Sequence, residues 1–377
     1  MKRRIAVIGL GQRIAHVLAA MAEVGWPLEI VGYADPSPVG VPVLHGAGLS
    51  EGNAFASAAA LLAAGPFDLV MIGSPNHLHL EHLDLARRAG FPIFIEKPVV
   101  RTEEESLALA ATLDGGGPPI FVGLVMRSMP IVRETLKRVR DGAIGALISI
   151  DATEHLHPEH GGYLARNWRR RQDWGGSFLL DKVCHDFDIF SCLAGARAAR
   201  VASFGGRAIF QPQSPARSAA HARHDAGWSG AGDAFASDMD VTDHQVAIVE
   251  YANGVRLSFH ANTNTALQER RWYIAGTQGT LIADLVRNRL MMRRTDASEK
   301  PERIDFGERT ADLHNGADQA MARDLAAALD GAPFPVTVEE SLEAGLTVMA
   351  IDQAMASGAV VDCGSIWKAY DAARHVR

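Results

Sequence analysis

The chain begins with an unbroken apolar run after Arg4, Ile5-Ala6-Val7-Ile8, the pattern of a strand buried on both faces. A glycine turn, Gly9-Leu10-Gly11, separates it from Ala15, Leu18, Ala19 and Ala22, which are spaced for one helix face, and Gly25 stops that helix. A second strand runs from Leu28 to Ala34. The alternation continues through a strand from Phe67 to Ile72, a helix marked by Leu83 and Ala86 and ended by Gly90, a strand from Phe91 to Ile95, and a last one from Ile120 to Leu124. Strands alternating with helices at these lengths predict a doubly wound parallel sheet.

The pattern then changes. Gly145 to Ile150 begins a strand, and residues 245–251 and 255–259 flank Asn253-Gly254, the dipeptide best suited to a tight hairpin. Arg271 to Ala275 leads into a turn from Gly276 to Gly279. Hairpin-linked strands predict an antiparallel sheet. Ser177 caps a helix pattern over residues 178–190, and the stripes Met321/Leu325/Leu329 and Leu342/Leu346/Met349 predict two closing helices. The expected organisation is α/β in two domains, residues 1–125 for a dinucleotide and residues 126–377 for substrate binding and oligomerisation.

Chemistry concentrates at the ends of the first set of strands. Strand, glycine turn, helix, strand and the acid Asp35 form the fingerprint of a dinucleotide site. Gly9 and Gly11 let backbone approach a pyrophosphate at the helix N-terminus, where free N–H groups favour anions, and Gln12 and Arg13 occupy the same turn. Asp35 would accept from ribose hydroxyls and repel a 2′-phosphate, which favours NAD over NADP. The third glycine position holds Ile14, expected to loosen the helix–strand contact. Ser74, Pro75 and Asn76 follow the next strand, with Asn76 as the expected helix cap. His79 reads either as a site neighbour or as a polar residue opening the helix. Glu96-Lys97-Pro98 ends the strand after that. Taken alone it suits a surface turn with a solvated ion pair; at a ligand-collecting strand end Lys97 becomes a candidate for proton chemistry.

A second constellation lies on the capped helix. Residues four apart are about 40° apart around the axis, so Asp181 and His185 share a face, and Asp188 joins it. An aspartate one turn from a histidine can stabilise the protonated imidazole of a general base; the pair also reads as a solvated i,i+4 contact. Leu179, Val183, Phe187 and Phe190 would pack inward, and Asp186 falls nearer that apolar side. Arg166, Arg169, Arg170 and Arg171 surround Trp168 just before this helix, either as a solvated run or with one or two of them holding an anionic substrate group. His155 and His157 are expected on a loop lining the substrate side of the sheet; Pro158 and the lack of a helical HExxH pattern argue against a metal there, and no metal is expected. The stretch 211–237 reads as a loop or a lid.

These motifs in this order resemble the Gfo/Idh/MocA oxidoreductases, which include glucose–fructose oxidoreductase and inositol dehydrogenase. Pro75-Asn76-His77-Leu78-His79, Glu96-Lys97-Pro98, Gly175-Gly176 and the Asp181/His185 spacing carry the likeness, and the turns at 142–145 and 276–280 extend it nearly end to end. The resemblance implies a Rossmann domain followed by an α/β domain whose large, mostly antiparallel sheet supports a homodimer or homotetramer. It implies Lys97, Asp181 and His185 as catalytic, often with a cis Lys-Pro bond. It also implies an NAD site drawn from Gly9, Gly11, Gln12, Arg13, Asp35, Ser74, Pro75, Asn76, His79, Glu96 and Lys97, and a carbohydrate-like substrate near Arg127, His155, His157, Trp168 and Arg169. The implied activity is hydride transfer between the cofactor and a secondary alcohol of a sugar or polyol. Glycoside cleavage through transient oxidation, and a nucleotide-dependent sensor without turnover, are the alternatives.

Composition narrows the classes further. A net charge of −7 over 377 residues argues against non-specific binding to nucleic acid or anionic membrane. Three cysteines without metal-type spacing suit a reducing cytoplasm. No apolar run is long enough to span a bilayer, and Gln12, Arg13 and His16 break the only stretch that imitates a signal peptide.

Overall fold

The computed structural model describes residues 2–165, 167–211, 235, 238–298, 300–307 and 314–375. Arg166 and nearly all of the 211–237 stretch lie outside them. The described chain forms two compact units. One holds the residues up to Met129, those from His314 to Leu342 and those from Tyr370; the other holds Pro130 to Gly307 and Glu343 to Ala369. The first unit thus takes back C-terminal segments that the sequence pattern grouped with 126–377. Long-range pairs hold them there: Ser128 Oγ donates to Asp324 at 2.8 Å, and Arg374 Nη2 to Asp114 at 2.7 Å.

The first unit contains a parallel six-stranded sheet in the order β3-β2-β1-β4-β5-β6. Its strands are β1 (Arg3–Ile8), β2 (Leu28–Ala34), β3 (Asn53–Ala54), β4 (Leu69–Ile72), β5 (Ile93–Ile95) and β6 (Ile120–Val122). Apolar residues of β1, β4 and β5 are almost wholly buried, as a sheet covered by helices on both faces demands. The strand order reverses between β1 and β4, so their C-terminal ends open the crevice where such sheets bind ligands. Register brings these ends level: Ile8 pairs with Ala34 and Ile72, Ile72 with Ile95, and Ile95 with Val122.

The second unit contains a nine-stranded sheet in the order β14-β13-β12-β11-β7-β10-β9-β8-β15. It comprises β7 (Leu147–His155), β8 (Ala198–Gly206), β9 (His244–Tyr251), β10 (Arg256–Asn262), β11 (Glu269–Gly276), β12 (Gly279–Asp284), β13 (Arg289–Arg294), β14 (Glu302–Asp305) and β15 (Val361–Asp362). Every described pair is antiparallel except β7 with β10. The Asn253-Gly254 hairpin forms as expected, with Glu250 opposite Arg256. One face of this sheet packs on the helix Phe178–Ala194, where Phe187 and Phe190 meet Phe259, and Phe190 meets Trp272, at ring distances of 5.2–5.8 Å. A third C-terminal helix, Gly364–Arg374, follows the two expected ones; Ile366 and Tyr370 are its buried positions, too few for a visible stripe.

Candidate active site

In the first unit the dinucleotide turn is shaped by contacts that only glycine permits. Gly9 has φ +81°, and a Cβ there would stand 2.3 Å from the backbone nitrogen of Ser74. The helix Gln12–Glu23 starts at Gly11 with no side-chain cap and no acidic residue in its first turn, so its N–H groups are available to an anion. These features fit a dinucleotide pyrophosphate. Ile14 does not loosen the helix as expected. Its Cβ would lie 2.7 Å from a Cβ at position 73, so Gly73, at the end of β4, supplies the space that a glycine at position 14 would have given. Asp35 directly follows β2, partly exposed, with Oδ1 accepting from Ser37 N at 2.7 Å.

Arg13 is held between two carboxylates. Its Nε lies 3.1 Å from Glu96 Oε1 and its Nη2 2.7 Å from Asp318 Oδ1. Burial works against the guanidinium charge, but Asp318 and Glu96 outweigh it and hold Arg13 above its ordinary value. Asp318 also accepts from His314 at 2.9 Å; burial opposes its ionisation, and Arg13 and His314 keep it well below the usual carboxylate range. Glu96 is buried as well, and its Oε2 receives the backbone N–H of Lys97 at 3.4 Å. The Lys97-Pro98 bond is cis.

One expectation around β4 changes. Asn76 does not cap the helix; residues Asn76–Leu78 form a 3-10 turn, and the helix His79–Ala89 starts after Leu78 without a side-chain cap. The geometry behind the later start is His79 itself, whose ring is tied to the Ser74 and Pro98 carbonyls. His79 is therefore engaged with backbone. Arg127 is buried in the same unit, with Nη1 3.3 Å from the Pro335 carbonyl and Nη2 3.3 Å from Glu340 Oε1.

In the second unit Ser177 caps the helix Phe178–Ala194, accepting from Leu180 N at 3.1 Å, and Gly195 ends it in the left-handed conformation. Asp181 and His185 are 3% and 7% exposed, so they are not a solvated pair. Tyr163 donates its hydroxyl to Asp181 Oδ2 at 2.8 Å, and Arg169 Nε stands 3.5 Å from the same oxygen. A hydrogen bond to a charged group contributes about 1.5–3 kcal/mol, so Tyr163 is a strong restraint on the carboxylate. Burial, then Asp181, pushes the Tyr163 hydroxyl well above its ordinary value, which keeps it a donor. The Arg169 guanidinium lies over the rings of Trp168 and Tyr163 at 4.2 Å and 5.2 Å. Arg170 and Arg171 instead pair with Asp238 and with Asp173, Asp238 and Asp240. Among the described arginines of the run, Arg169 is the one beside Asp181.

A buried ionic network lies beside the pair. Lys182 Nζ is 3.4 Å from Glu154 Oε1, and Arg270 Nη2 is 3.1 Å from Glu154 Oε2. Arg270 also chelates Asp186 through Nε and Nη2, and Trp272 Nε1 reaches Asp186 Oδ1 at 3.3 Å. Asp186 is the structural hydrogen-bonder its apolar side suggested. Burial pushes its carboxyl up to about 7, against the pull of Arg270. Burial also works to raise Glu154, but Arg270 and Lys182 outweigh it and leave it below its ordinary value.

His155 departs from the expected placement. It is the last residue of β7, and alternation puts it on the face opposite Glu154, where it meets the His260 ring at 5.0 Å and Asn262 at 3.3 Å. It cannot line the helix side of the sheet. His157 lies beyond the strand end, partly buried. Sequence reasoning missed Tyr163, Glu154, Lys182 and Arg270. Glu154 did carry a signal, since it continues the inward series Ile150-Ala152 of its strand; Tyr163 had none, because its partner is 18 residues away across irregular chain. Among the described residues no three His, Cys, Asp or Glu are grouped to hold a metal ion, and no helix is long and apolar enough to cross a membrane.

Two family models match the chain. One, an oxidoreductase family with an NAD-binding Rossmann fold, covers residues 3–124; the other, the GFO/IDH/MocA C-terminal domain, covers residues 132–282. Levoglucosan dehydrogenase of Pseudarthrobacter phenanthrenivorans is 29% identical over 244 residues, 63% of this chain and 60% of that protein. Inositol 2-dehydrogenase of Corynebacterium glutamicum is 33% identical over 144 residues, 37% of this chain and 39% of that one. The chain thus spans less than two thirds of the length of either relative. A solved structure of levoglucosan dehydrogenase in complex with NADH and L-sorbose has a TM-score of 0.79 at 23% identity, covering 97% of this chain and all of that one, a likeness of fold.

Proposed function

The chain belongs to the GFO/IDH/MocA oxidoreductases, and on that premise we propose that it is an NAD-dependent dehydrogenase acting on a secondary alcohol of a sugar or polyol. The observation that carries the reading is the buried turn bearing Asp181 and His185, with Asp181 gripped by Tyr163 and Arg169. NAD, when bound, supplies the hydride acceptor. His185 takes the hydroxyl proton as the general base. Asp181, one turn earlier on the same face, stabilises the imidazolium that results. Lys97 donates to the substrate oxygen and favours the developing alkoxide. Arg169, Trp168 and His157 are the candidates for holding the rest of the substrate.

Residues at the β-strand ends support the cofactor assignment. Gly9 permits the close approach of its turn to Ser74, and the uncapped helix start after Gly11 attracts the pyrophosphate. Asp35 keeps one carboxylate oxygen for a ribose diol and repels a 2′-phosphate, so NAD is preferred to NADP. Cys184, Cys192 and Cys363 are not joined in disulfides, a state that a reducing cytoplasm maintains. The test is NADH formation, followed by near-ultraviolet absorbance, over a panel of polyols, aldoses and uronic acids with NAD and then NADP. The reading expects NADH to accumulate with at least one of them, faster with NAD. Release of a leaving group without NADH accumulation would replace it with transient-oxidation glycoside cleavage.

A further inference from the structure

His79 is 1% exposed, and both its ring nitrogens face backbone carbonyls: Nδ1 lies 2.7 Å from the Pro98 oxygen and Nε2 2.8 Å from the Ser74 oxygen. A carbonyl oxygen only accepts, so each bond of this length calls for an N–H on the ring. Neutral imidazole has one such group and imidazolium has two. The two carbonyls sit on different turns. Ser74 follows β4 where Gly9 makes its close approach, and Pro98 directly follows Lys97 after β5. His79 opens the helix His79–Ala89 and so ties the cofactor turn, the lysine turn and the helix start together.

Charged and titratable groups on the segments it joins include Glu96 and Lys97 on the gripped turn, Arg13 paired with Glu96, and His77, Glu81 and His82 in its own stretch. His82 bonds Ser74 Oγ at 2.9 Å, and burial holds it below its ordinary value, so it adds no second cation at neutral pH. We propose that His79 is a positioning residue for Lys97: as an imidazolium it donates to both carbonyls and fixes the turn from which the lysine side chain leaves. The proposal rests on the reading of Lys97 as the donor to the substrate oxygen.

Two measurements test it separately. The first is imidazole nitrogen NMR on the histidine-labelled wild-type chain at neutral pH, which requires no substrate. Both His79 nitrogens should carry protons; one bare nitrogen overturns the proposal whether or not any sugar is oxidised. The second is kinetics of His79→Gln and His79→Asn, which can satisfy only one of the carbonyls with a donor. Their kcat should fall by about tenfold or more, the loss expected from a hydrogen bond to a charged group, while NADH affinity and substrate KM stay near wild type. Unchanged kcat in a folded variant, or a parallel loss of NADH affinity, overturns it. If the wild-type chain oxidises no alcohol, the Lys97 reading fails by itself, and the nitrogen spectrum still decides the clamp.

Discussion

Asp186 has no exposed surface, yet it holds Arg270 and Trp272 on the sheet behind the Asp181/His185 turn. With its carboxyl pushed up to about 7 by burial, the folded chain keeps a proton there that the unfolded chain releases near the ordinary carboxylate value. More protons bound in the native state mean that stability falls as pH rises through that window. Relative to wild type, Asp186→Asn should therefore gain thermal stability as pH goes from about 4 to about 7; a gap that stays constant in melting scans would remove the ionisation argument. At this scale the sequence was partly legible. Asp181, His185 and Asp186 announced themselves by helical spacing, because the period of a helix is local. Tyr163 and Arg270 did not, since long-range contacts leave no periodic trace.

Elements rest on close approaches that single residues decide. The helix Gln12–Glu23 meets the end of β4 through Ile14 against Gly73, the reverse of the expected arrangement, with the bulk on the helix and the glycine directly after the strand. Overpacking of this kind typically costs 1–3 kcal/mol, so Gly73→Ala should lower stability by about that amount. Adding Ile14→Ala should restore part of it, read as a double-mutant cycle of unfolding free energies. Strictly additive losses would mean the two residues do not share the space. The doubly wound order and the Asn-Gly hairpin were legible, since apolar runs and turn residues encode them locally. The start of the helix His79–Ala89 was not, because a carbonyl 19 residues further on, that of Pro98, and the Ser74 carbonyl hold its first residue.

For the whole molecule, the open face of the nine-stranded sheet has a consequence. It exposes Phe204, Val246 and Ile248 on the adjacent strands β8 and β9, and Ile148 and Tyr273 on β7 and β11, with Ser258 and His260 of β10 between the two apolar groups. This face is where self-association is expected. Phe204→Glu with Ile248→Glu should reduce the assembly measured by light scattering and leave the melting temperature nearly unchanged; a wild-type chain that is monomeric at micromolar concentration would refute the assignment. The two-sheet architecture was visible from the switch in pattern near residue 145, whereas the return of the C-terminal segments to the first unit was not, because helices carry no mark of which sheet they join. The central claim, hydride transfer driven by His185 as base, is tested most directly by the turnover of His185→Ala on the best alcohol found, with NADH binding measured in parallel. A fall in kcat of about 10²–10⁴-fold with NADH affinity intact is the predicted result; turnover near that of the wild type would contradict it.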